Sequence, residues 1–384
     1  MTTNYRICSR CVMDTTAEEI RFDEQGVCSF CHYFDQHVRP VLERSRSQEG
    51  KQRSGKVVGI IKQAGKGKPY DSILGLSGGT DSSYLAYLAT SQGLRPLVVH
   101  VDMGWNSETS ERNVKALVSK LKLDLEIVVV PFEEMRDLQL AFYKASVKNC
   151  EIPQDHAFLA ALYRMASEYK IRYILSGGNL ATESILPESW GYNTGDLRHI
   201  LAIHHRFGTR NLHAYPMLGF YQRYLYYPFV RGIRELRLLN YIPYKRSEAK
   251  VFLSKEFGWE DYGAKHFESV LTRFFQGYYL PTKFGIDKRK AHFSSLILSG
   301  EMKREEALQE LENSPYPFEQ VQADKKYIAD ALEISLAEWE DILAKPPTSH
   351  DAFSSLKTLF ILKDALVRSF HLRRWLNNLQ GYQN

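Results

Sequence analysis

The chain has 384 residues, 44% hydrophobic and 25% charged, and carries a formal net charge of +5. That is an ordinary globular composition, long enough for two domains or for one domain with appendages, each with its own core. The mildly positive balance suits an anionic small substrate and does not demand nucleic acid; no apolar run approaches the ~20 residues of a membrane span, and the opening MTTNYRICSRC lacks the apolar core of a signal peptide, so a cytoplasmic protein is expected.

In chain order, residues 1–34 are turn-rich and hold four of the five cysteines. Cys8-x2-Cys11 and Cys28-x2-Cys31 are separated by sixteen residues, a zinc signature: two CxxC knuckles place four thiolates tetrahedrally around one ion. Four protein ligands leave no open position, so the zinc is expected to be structural. The alternative, disulfides, is disfavoured in a cytoplasmic chain. Residues 35–69 read as a helix and a basic linker containing Arg44, Arg46, Arg53 and five lysines. Such a run reads as a solvated face or, more sharply, as a contact for an anionic ligand or RNA.

From residue 70 the pattern alternates. Residues 73–76 are a short apolar run, followed by helical spacing at Leu85, Leu88 and Ala89 that Gly93 can end. A strand is expected over 97–101, a helix over 113–121 and a further strand over 125–130. Phe158, Leu159, Leu162, Met165 and Ala166 form a helical stripe, and 173–175 read as a fourth strand. Strands alternating with helices predict an α/β fold with a parallel sheet covered on both faces, spanning about residues 70–244. Residues 245–384 read as mostly helical, for instance over 304–311 and 352–379. The aromatic run over 215–229 reads as core or a docking face, since Arg223 interrupts it.

The stretch with the most chemistry is Ser77-Gly78-Gly79-Thr80-Asp81-Ser82-Ser83, between the first strand and the first sheet helix. It lacks the GK[ST] ending of a Walker A loop and is not GxGxxG. Two glycines let backbone N–H groups approach a phosphate chain, and four hydroxyls can donate to it. Asp81 would repel phosphate alone, so it meets a Mg²⁺ ion or caps the helix. The stretch resembles the SGGxDS pyrophosphate loop of PP-loop (N-type) ATP pyrophosphatases. Such enzymes split ATP between the α and β phosphates, adenylate an oxygen, and let a nitrogen or sulfur nucleophile displace AMP. By that resemblance Ser77 and Asp81 serve the ATP step, His100 and Asp102 at the end of the second strand border the adenosine, and the turn Gly177-Gly178-Asn179 closes the nucleotide site.

Further stretches extend the resemblance: CxxCVMDTT at residues 8–16, the second CxxC, and YGAKHFESVLTRFFQGYYLPTKFGIDKRKAHFSSLILSGEMKREEAL at 262–308. Together they resemble the N-acetyl sugar amidotransferases of bacterial surface-polysaccharide (O-antigen) biosynthesis. This implies a reaction in which ATP, with Mg²⁺, activates an acetamido group of a nucleotide-linked sugar, for example a UDP-linked diacetamido uronic acid. Ammonia then gives an acetamidino group. It also implies ammonia delivery by a separate glutaminase and a barrel subunit, similar to the two parts of imidazole glycerol phosphate synthase. Lys265, His266, Lys283, Asp287, Lys288, Arg289 and His292 form a charged cluster among aromatic residues, read as substrate contacts, with Lys283 and Arg289 as catalytic candidates, or else as a solvated face.

Cys150 lacks a flanking glycine turn and reads as a small buried hydrophobe, not a glutaminase nucleophile. His100, His156, His204, His205 and His213 are not spaced as a metal site. Two rival functions remain at this level. A PP-loop tRNA thiolase is short of thiols once four cysteines are committed to zinc. A non-catalytic nucleotide-binding regulator has no need of Asp81 in an intact loop.

Overall fold

The computed structural model describes residues 5–262 and 269–369. Lys265 and His266 lie outside the described residues, as does the far end of the helix expected over 352–379. Five strands form one sheet: β1 (Ser72–Gly75), β2 (Pro96–Asp102), β3 (Leu125–Val129), β4 (Tyr173–Leu175) and β5 (Arg234–Leu236), in the order β3-β2-β1-β4-β5. Every pairing is parallel, with Leu74 opposite Val98 on one side and Leu175 on the other. The order runs outward from β1 in both directions, so the winding of the chain reverses between β1 and β4, at their carboxyl ends. In open α/β sheets that switch point is where ligands bind.

Alternation along the strands feeds two cores. Ile73, Val99 and Ile174 face one, and Leu74, Val98 and Leu175 face the other. The helices α1 (Arg39–Arg46) and α2 (Gln48–Ala64) precede the sheet, and α3 (Thr80–Ser91) and α4 (Glu108–Leu121) follow β1 and β2. Leu85 and Ala86 of α3 bury into the Leu74 core, together with Val114 and Leu117 of α4. On the other face, after α5 (Phe132–Ala145), α6 (Ile152–Glu168) packs Ala157, Ala161 and Leu162 against Ile73.

The basic stretch is not a linker. Arg44 and Arg46 end α1 and most of the rest is α2, whose Val57, Val58 and Ile61 are buried in the Leu74 core, while Lys51, Lys56 and Lys62 stay exposed. Abundant lysine and arginine on the outer face hid a helical stripe from the sequence pattern. The fifth strand was also not anticipated. Two of its three residues, Arg234 and Glu235, are charged, so it offers no apolar run.

Beyond β4 come α7 (Leu180–Glu183), α8 (Leu197–Phe207) and, after β5, α9 (Arg246–Phe257), which packs on α3. The C-terminal layer comprises α10 (Arg289–Ser299), α11 (Arg304–Glu312), α12 (Phe318–Ala331), α13 (Leu336–Ala344) and α14 (Lys357–Ser369). The aromatic run over 215–229 is divided. Tyr215 and Leu218 are buried, whereas Tyr221, Leu225 and Phe229 are 66%, 51% and 45% exposed. No helix among the described residues is long and apolar enough to cross a membrane.

Three buried histidines tie distant segments together. His156 donates from Nδ1 to the Thr194 carbonyl (2.8 Å) and accepts from the Leu218 N–H (3.0 Å). His350 accepts from the Asn149 N–H at Nε2 (3.1 Å), so its proton lies on Nδ1, 2.9 Å from His199 Nε2. Burial lowers all three pKa values: His156 and His199 to about 4 and His350 to about 3, from 6.5. The unfolded chain therefore takes up protons below pH 6.5 that the folded chain refuses until near pH 4. Their contribution is complete above 6.5 and is lost as pH falls from there toward 4. Urea midpoints of the parent are expected to drop between pH 7 and pH 5, and those of His350→Gln to drop by less; equal drops would show that the His199–His350 pair does not carry the effect.

Candidate active site

The chain enters the site from β1. At Gly78, φ is +81° and an added Cβ would lie 2.6 Å from the Ser110 carbonyl oxygen, so only glycine fits. The turn is held from outside: Ser110 Oγ donates to the Ser77 carbonyl (2.7 Å) and Trp259 Nε1 donates to the Gly78 carbonyl (2.9 Å). Inside, Gly79 N–H donates to Ser77 Oγ (3.3 Å), and Ser82 Oγ lies 3.2 Å from Ser77 Oγ. The buried hydroxyls of Thr80 and Ser83 have no partner among the described residues. Buried hydroxyls without partners are costly, and one at a glycine turn before a helix N-terminus fits a phosphate acceptor.

This loop walls a cavity of about 330 Å³ at the sheet switch point. Of the expected nucleotide contacts, Ser77, Gly79, Thr80, Asp81, Ser82, His100, Gly177 and Gly178 line it. Gly78, Ser83, Asp102 and Asn179 do not; they shape its walls. Asp102 Oδ1 accepts from the Gly104 N–H (2.9 Å), making the turn after β2. Asn179 Oδ1 accepts from the Thr182 N–H (3.0 Å), capping α7. His100 Nδ1 donates to the Leu76 carbonyl (2.8 Å), which leaves Nε2 to accept from Asn106 (3.2 Å). The glycine turns meet closely, for a Cβ on Gly177 would lie 3.2 Å from the Ser82 nitrogen. Asp81 accepts a hydrogen bond from the Tyr244 hydroxyl, whose pKa is pushed up by burial and by that carboxylate. Asp81 and Glu183 are carboxylates on this cavity that could hold Mg²⁺, a hard cation that takes oxygen ligands.

A second cavity, of about 640 Å³, lies between α7 and the C-terminal layer. It shares Glu183 and Arg246 with the first. Neither residue was singled out from sequence. Glu183 stands four positions past Asn179 in the same turn and was legible there. Arg246 had no local signal. Its Nε is buried with no partner among the described residues. Lys288, Arg289 and His292 of the expected charged cluster line this second cavity. Lys288 pairs with Glu151 at 3.5 Å, and His292 Nδ1 donates to the Thr182 carbonyl (3.2 Å). Arg289 is committed to structure: it grips Asp287 (2.7 Å) and donates to the carbonyls of Glu310 and Asn313. Asp287 is thus a partner of Arg289 and lines neither cavity.

Lys283 lines neither cavity. It donates to the Leu343 carbonyl (3.1 Å) and lies over the Tyr279 ring, and burial lowers its pKa. The aromatic residues expected to wall an anion pocket pack instead as core, with Phe274 and Tyr279 fully buried and Phe274 against Trp339. Cys150 is buried, its thiol pushed up to about 12 by burial.

The four N-terminal cysteines come together. All are buried, and their sulfurs lie within 4.8 Å of one another. Cys8–Cys31, Cys11–Cys28 and Cys28–Cys31 stand 3.8, 3.6 and 3.7 Å apart. Zn–S bonds of about 2.3 Å in a tetrahedron give edges of about 3.8 Å, so the cluster fits zinc. Backbone N–H groups of Arg10, Cys11 and Cys28 point at Cys8 Sγ, as suits a thiolate. The module clamps the C-terminal layer: on α10, Lys290 pairs with Asp14 and Ser294 Oγ accepts from the Val12 N–H (3.2 Å), and at the start of α11 Arg304 donates to the Cys8 and Cys11 carbonyls. On its other side α10 presents His292, Phe293 and Leu296 to the second cavity.

The parallel sheet and the glycine loop at its switch point define a PP-loop ATP pyrophosphatase domain. Residues 56–204 match the family model of NAD synthase, and residues 268–365 match that of the LPS biosynthesis protein WbpG-like, C-terminal domain. The chain therefore joins an NAD synthase-like PP-loop domain to a WbpG-like C-terminal domain. Among solved structures it is similar to an NH3-dependent NAD synthetase from Campylobacter jejuni, at 17% identity over 35% of this chain and 59% of that one, with a TM-score of 0.28. It is also similar to an NMN synthetase from Francisella tularensis, at 14% identity over 58% of this chain and 100% of that one, with a TM-score of 0.29. The chain thus spans 59% of the length of the first of these structures. No curated protein matches the chain.

Cys28→Ser is expected to lower bound zinc from one per chain and to reduce unfolding free energy by several kcal/mol, because metal-binding free energy in such modules is folding free energy. Metal analysis of the parent showing no zinc would remove the structural-zinc assignment.

Proposed function

We propose that the chain is an ATP-dependent amidotransferase of surface-polysaccharide biosynthesis, which turns an acetamido group of a nucleotide-linked sugar into an acetamidino group. The observation that carries this reading is the meeting of the two cavities at Glu183 and Arg246. One cavity has a phosphate-binding loop. The other is lined by Arg237 and Arg246 beside Glu183, cationic donors suited to an anionic acceptor.

An amide carbon is a poor electrophile, so the amide oxygen must first become a leaving group. The acetamido oxygen attacks the α-phosphorus of ATP, and the Pα–O bond to pyrophosphate breaks with its electron pair. The product is an O-adenylated imidate. The amide N–H proton is lost as the imidate forms; ammonia then adds to the imidate carbon, passes one proton to the imidate nitrogen, and the bond to the AMP oxygen breaks with its electron pair, leaving the amidinium cation. Ser77, Ser82 and the N–H groups of the turn hold the departing pyrophosphate, and Arg246 faces the charge that develops between the cavities. Asp81 and Glu183 would hold a Mg²⁺ ion, which would supply positive charge to the phosphate oxygens. The imidate is water-sensitive, which calls for a shielded junction.

Ammonia, in this reading, comes from a separate glutaminase through a barrel subunit similar to that of imidazole glycerol phosphate synthase. The support is chemical: Cys150 is the one cysteine outside the zinc cluster, and it is buried with a raised pKa, unfit as a glutaminase nucleophile. The same fact leaves a sulfur-transferring tRNA enzyme without a usable thiol.

Candidate nucleotide sugars incubated with the chain, ATP, Mg²⁺ and ammonium are expected to lose about one mass unit, oxygen being exchanged for NH, and to gain a group that stays cationic near neutral pH. Glutamine in place of ammonium is expected to give no product from the chain alone; full glutamine-dependent turnover would contradict the partner claim. Asp81→Asn keeps an acceptor for Tyr244 and is expected to cut AMP release by ~100-fold or more, with the unfolding midpoint little changed. Release of ADP and phosphate instead of AMP and pyrophosphate would remove the assignment.

A further inference from the structure

A third cavity, of about 250 Å³, lies beside the acceptor cavity and shares Arg237 with it. Arg44, Arg53 and His37 also line it, and no carboxylate does among the described residues. The two arginines come from α1 and α2, whose junction is tight: a Cβ on Gly50 would lie 2.1 Å from the Arg44 carbonyl oxygen. That contact fixes how α2 leaves α1 and so brings Arg44 and Arg53 to one opening. Arg44 reaches Glu49 only at 3.9 Å. Asn240 Oδ1 accepts from the Leu180 N–H (2.9 Å), tying this wall to α7, whose Thr182 and Glu183 line the acceptor cavity. Two aromatic surfaces complete the opening. Tyr33 rests against His37 with ring centroids 4.8 Å apart, and buried Tyr241 lies beneath Arg53 at 5.5 Å.

The planar forks of guanidinium groups match phosphate oxygens two at a time. Aromatic faces beside them suit a base, since every base has a stacking face. At about 250 Å³ the cavity falls below the ~300–1,000 Å³ of sites that hold a whole ligand. It therefore fits part of a ligand whose remainder occupies the neighbouring 640 Å³.

We propose that this third cavity is a nucleotide subsite, holding the nucleoside diphosphate part of the acceptor on Arg44, Arg53 and Arg237 while the sugar lies in the second cavity with its acetamido group at Glu183 and Arg246. The assignment rests on the amidotransferase reading for the identity of the acceptor. It explains why a run of cations on α1 and α2 stands next to a sugar site, a feature the PP-loop chemistry leaves unused.

The test uses the full chain and Arg44→Gln, Arg53→Gln and the double variant, with zinc content and unfolding midpoint as checks of the fold. Uridine, guanosine, cytidine and thymidine diphosphates are titrated one at a time by calorimetry into protein saturated with α,β-methylene ATP, which blocks the first cavity. At least one is expected to bind, and each arginine variant to weaken it ~tenfold or more, the loss typical of a charge-assisted contact. In turnover, each variant is expected to raise KM for the nucleotide-linked sugar by a similar factor and to leave KM for the same sugar as its 1-phosphate at the parent value. Binding needs no turnover, so an arginine-dependent nucleotide site without any amidation would refute the functional reading and leave the subsite standing. Variants that bind all four nucleotides as the parent does would overturn the subsite. So would inorganic pyrophosphate binding there as tightly as the nucleotides, or a short RNA binding in an arginine-dependent way where the nucleotides do not.

Discussion

The carboxyl end of β1 meets the start of α3 across a gap too small for any side chain at Gly78. The Ser110 carbonyl would lie 2.6 Å from a Cβ there, and the turn's own carbonyls are taken by Ser110 and Trp259. With its outward carbonyls held by α4 and by the segment after α9, the turn is fixed in shape, and the Thr80 hydroxyl on the cavity has no partner among the described residues. That preorganisation is what a phosphate-splitting site needs, because donors already in place require no reorganisation as charge develops. Everything downstream is arranged around it: the second glycine turn at Gly177 lies against Ser82, and Tyr244 holds Asp81.

The C-terminal layer supplies what the sheet domain lacks. A nucleotide loop by itself cannot choose an acceptor. The second cavity is built from α7 on one side and α10 on the other, and α10 is clamped in turn by the cysteine module through Asp14 and Val12, with α11 held beside it through Arg304. Asp14 is fully buried, and its charge is tolerable because Lys290 pairs with it and Thr16 donates to it. Burial alone would raise the Asp14 pKa, but Lys290 and Thr16 outweigh it and hold the carboxyl below its usual range. The cysteine module and the second cavity are therefore mechanically linked, although the cysteines line neither cavity.

Much of the sheet was legible because its signals are local. Residues 73–76 and 97–101 are buried strand runs, and the hydroxyl-rich turn between them can only follow a strand and start a helix. The CxxC pairs were legible because thiol spacing alone brings four sulfurs together. What failed to show was long-range. Strand β5 has two charged residues in three and exists because β4 offers it an edge. The run over α2 looked like a linker because its buried stripe of Val57, Val58 and Ile61 is narrow beside its lysines. Lys283 looked like an anion ligand among aromatic residues. Those rings turned out to be core, packed by helices some sixty residues further on, and Lys283 spends its ammonium on the Leu343 carbonyl. Arg246 carries no motif, and only the packing of α9 on α3 places it between the two cavities.

The central claim is that the acetamido oxygen itself attacks ATP. The most direct measurement is a single turnover with a nucleotide sugar whose acetamido oxygen carries a heavy isotope, followed by mass spectrometry of the released AMP. The account predicts that the heavy oxygen leaves on AMP and that the sugar product retains none. Unlabelled AMP, with the label kept in the sugar or released to water or phosphate, would contradict it.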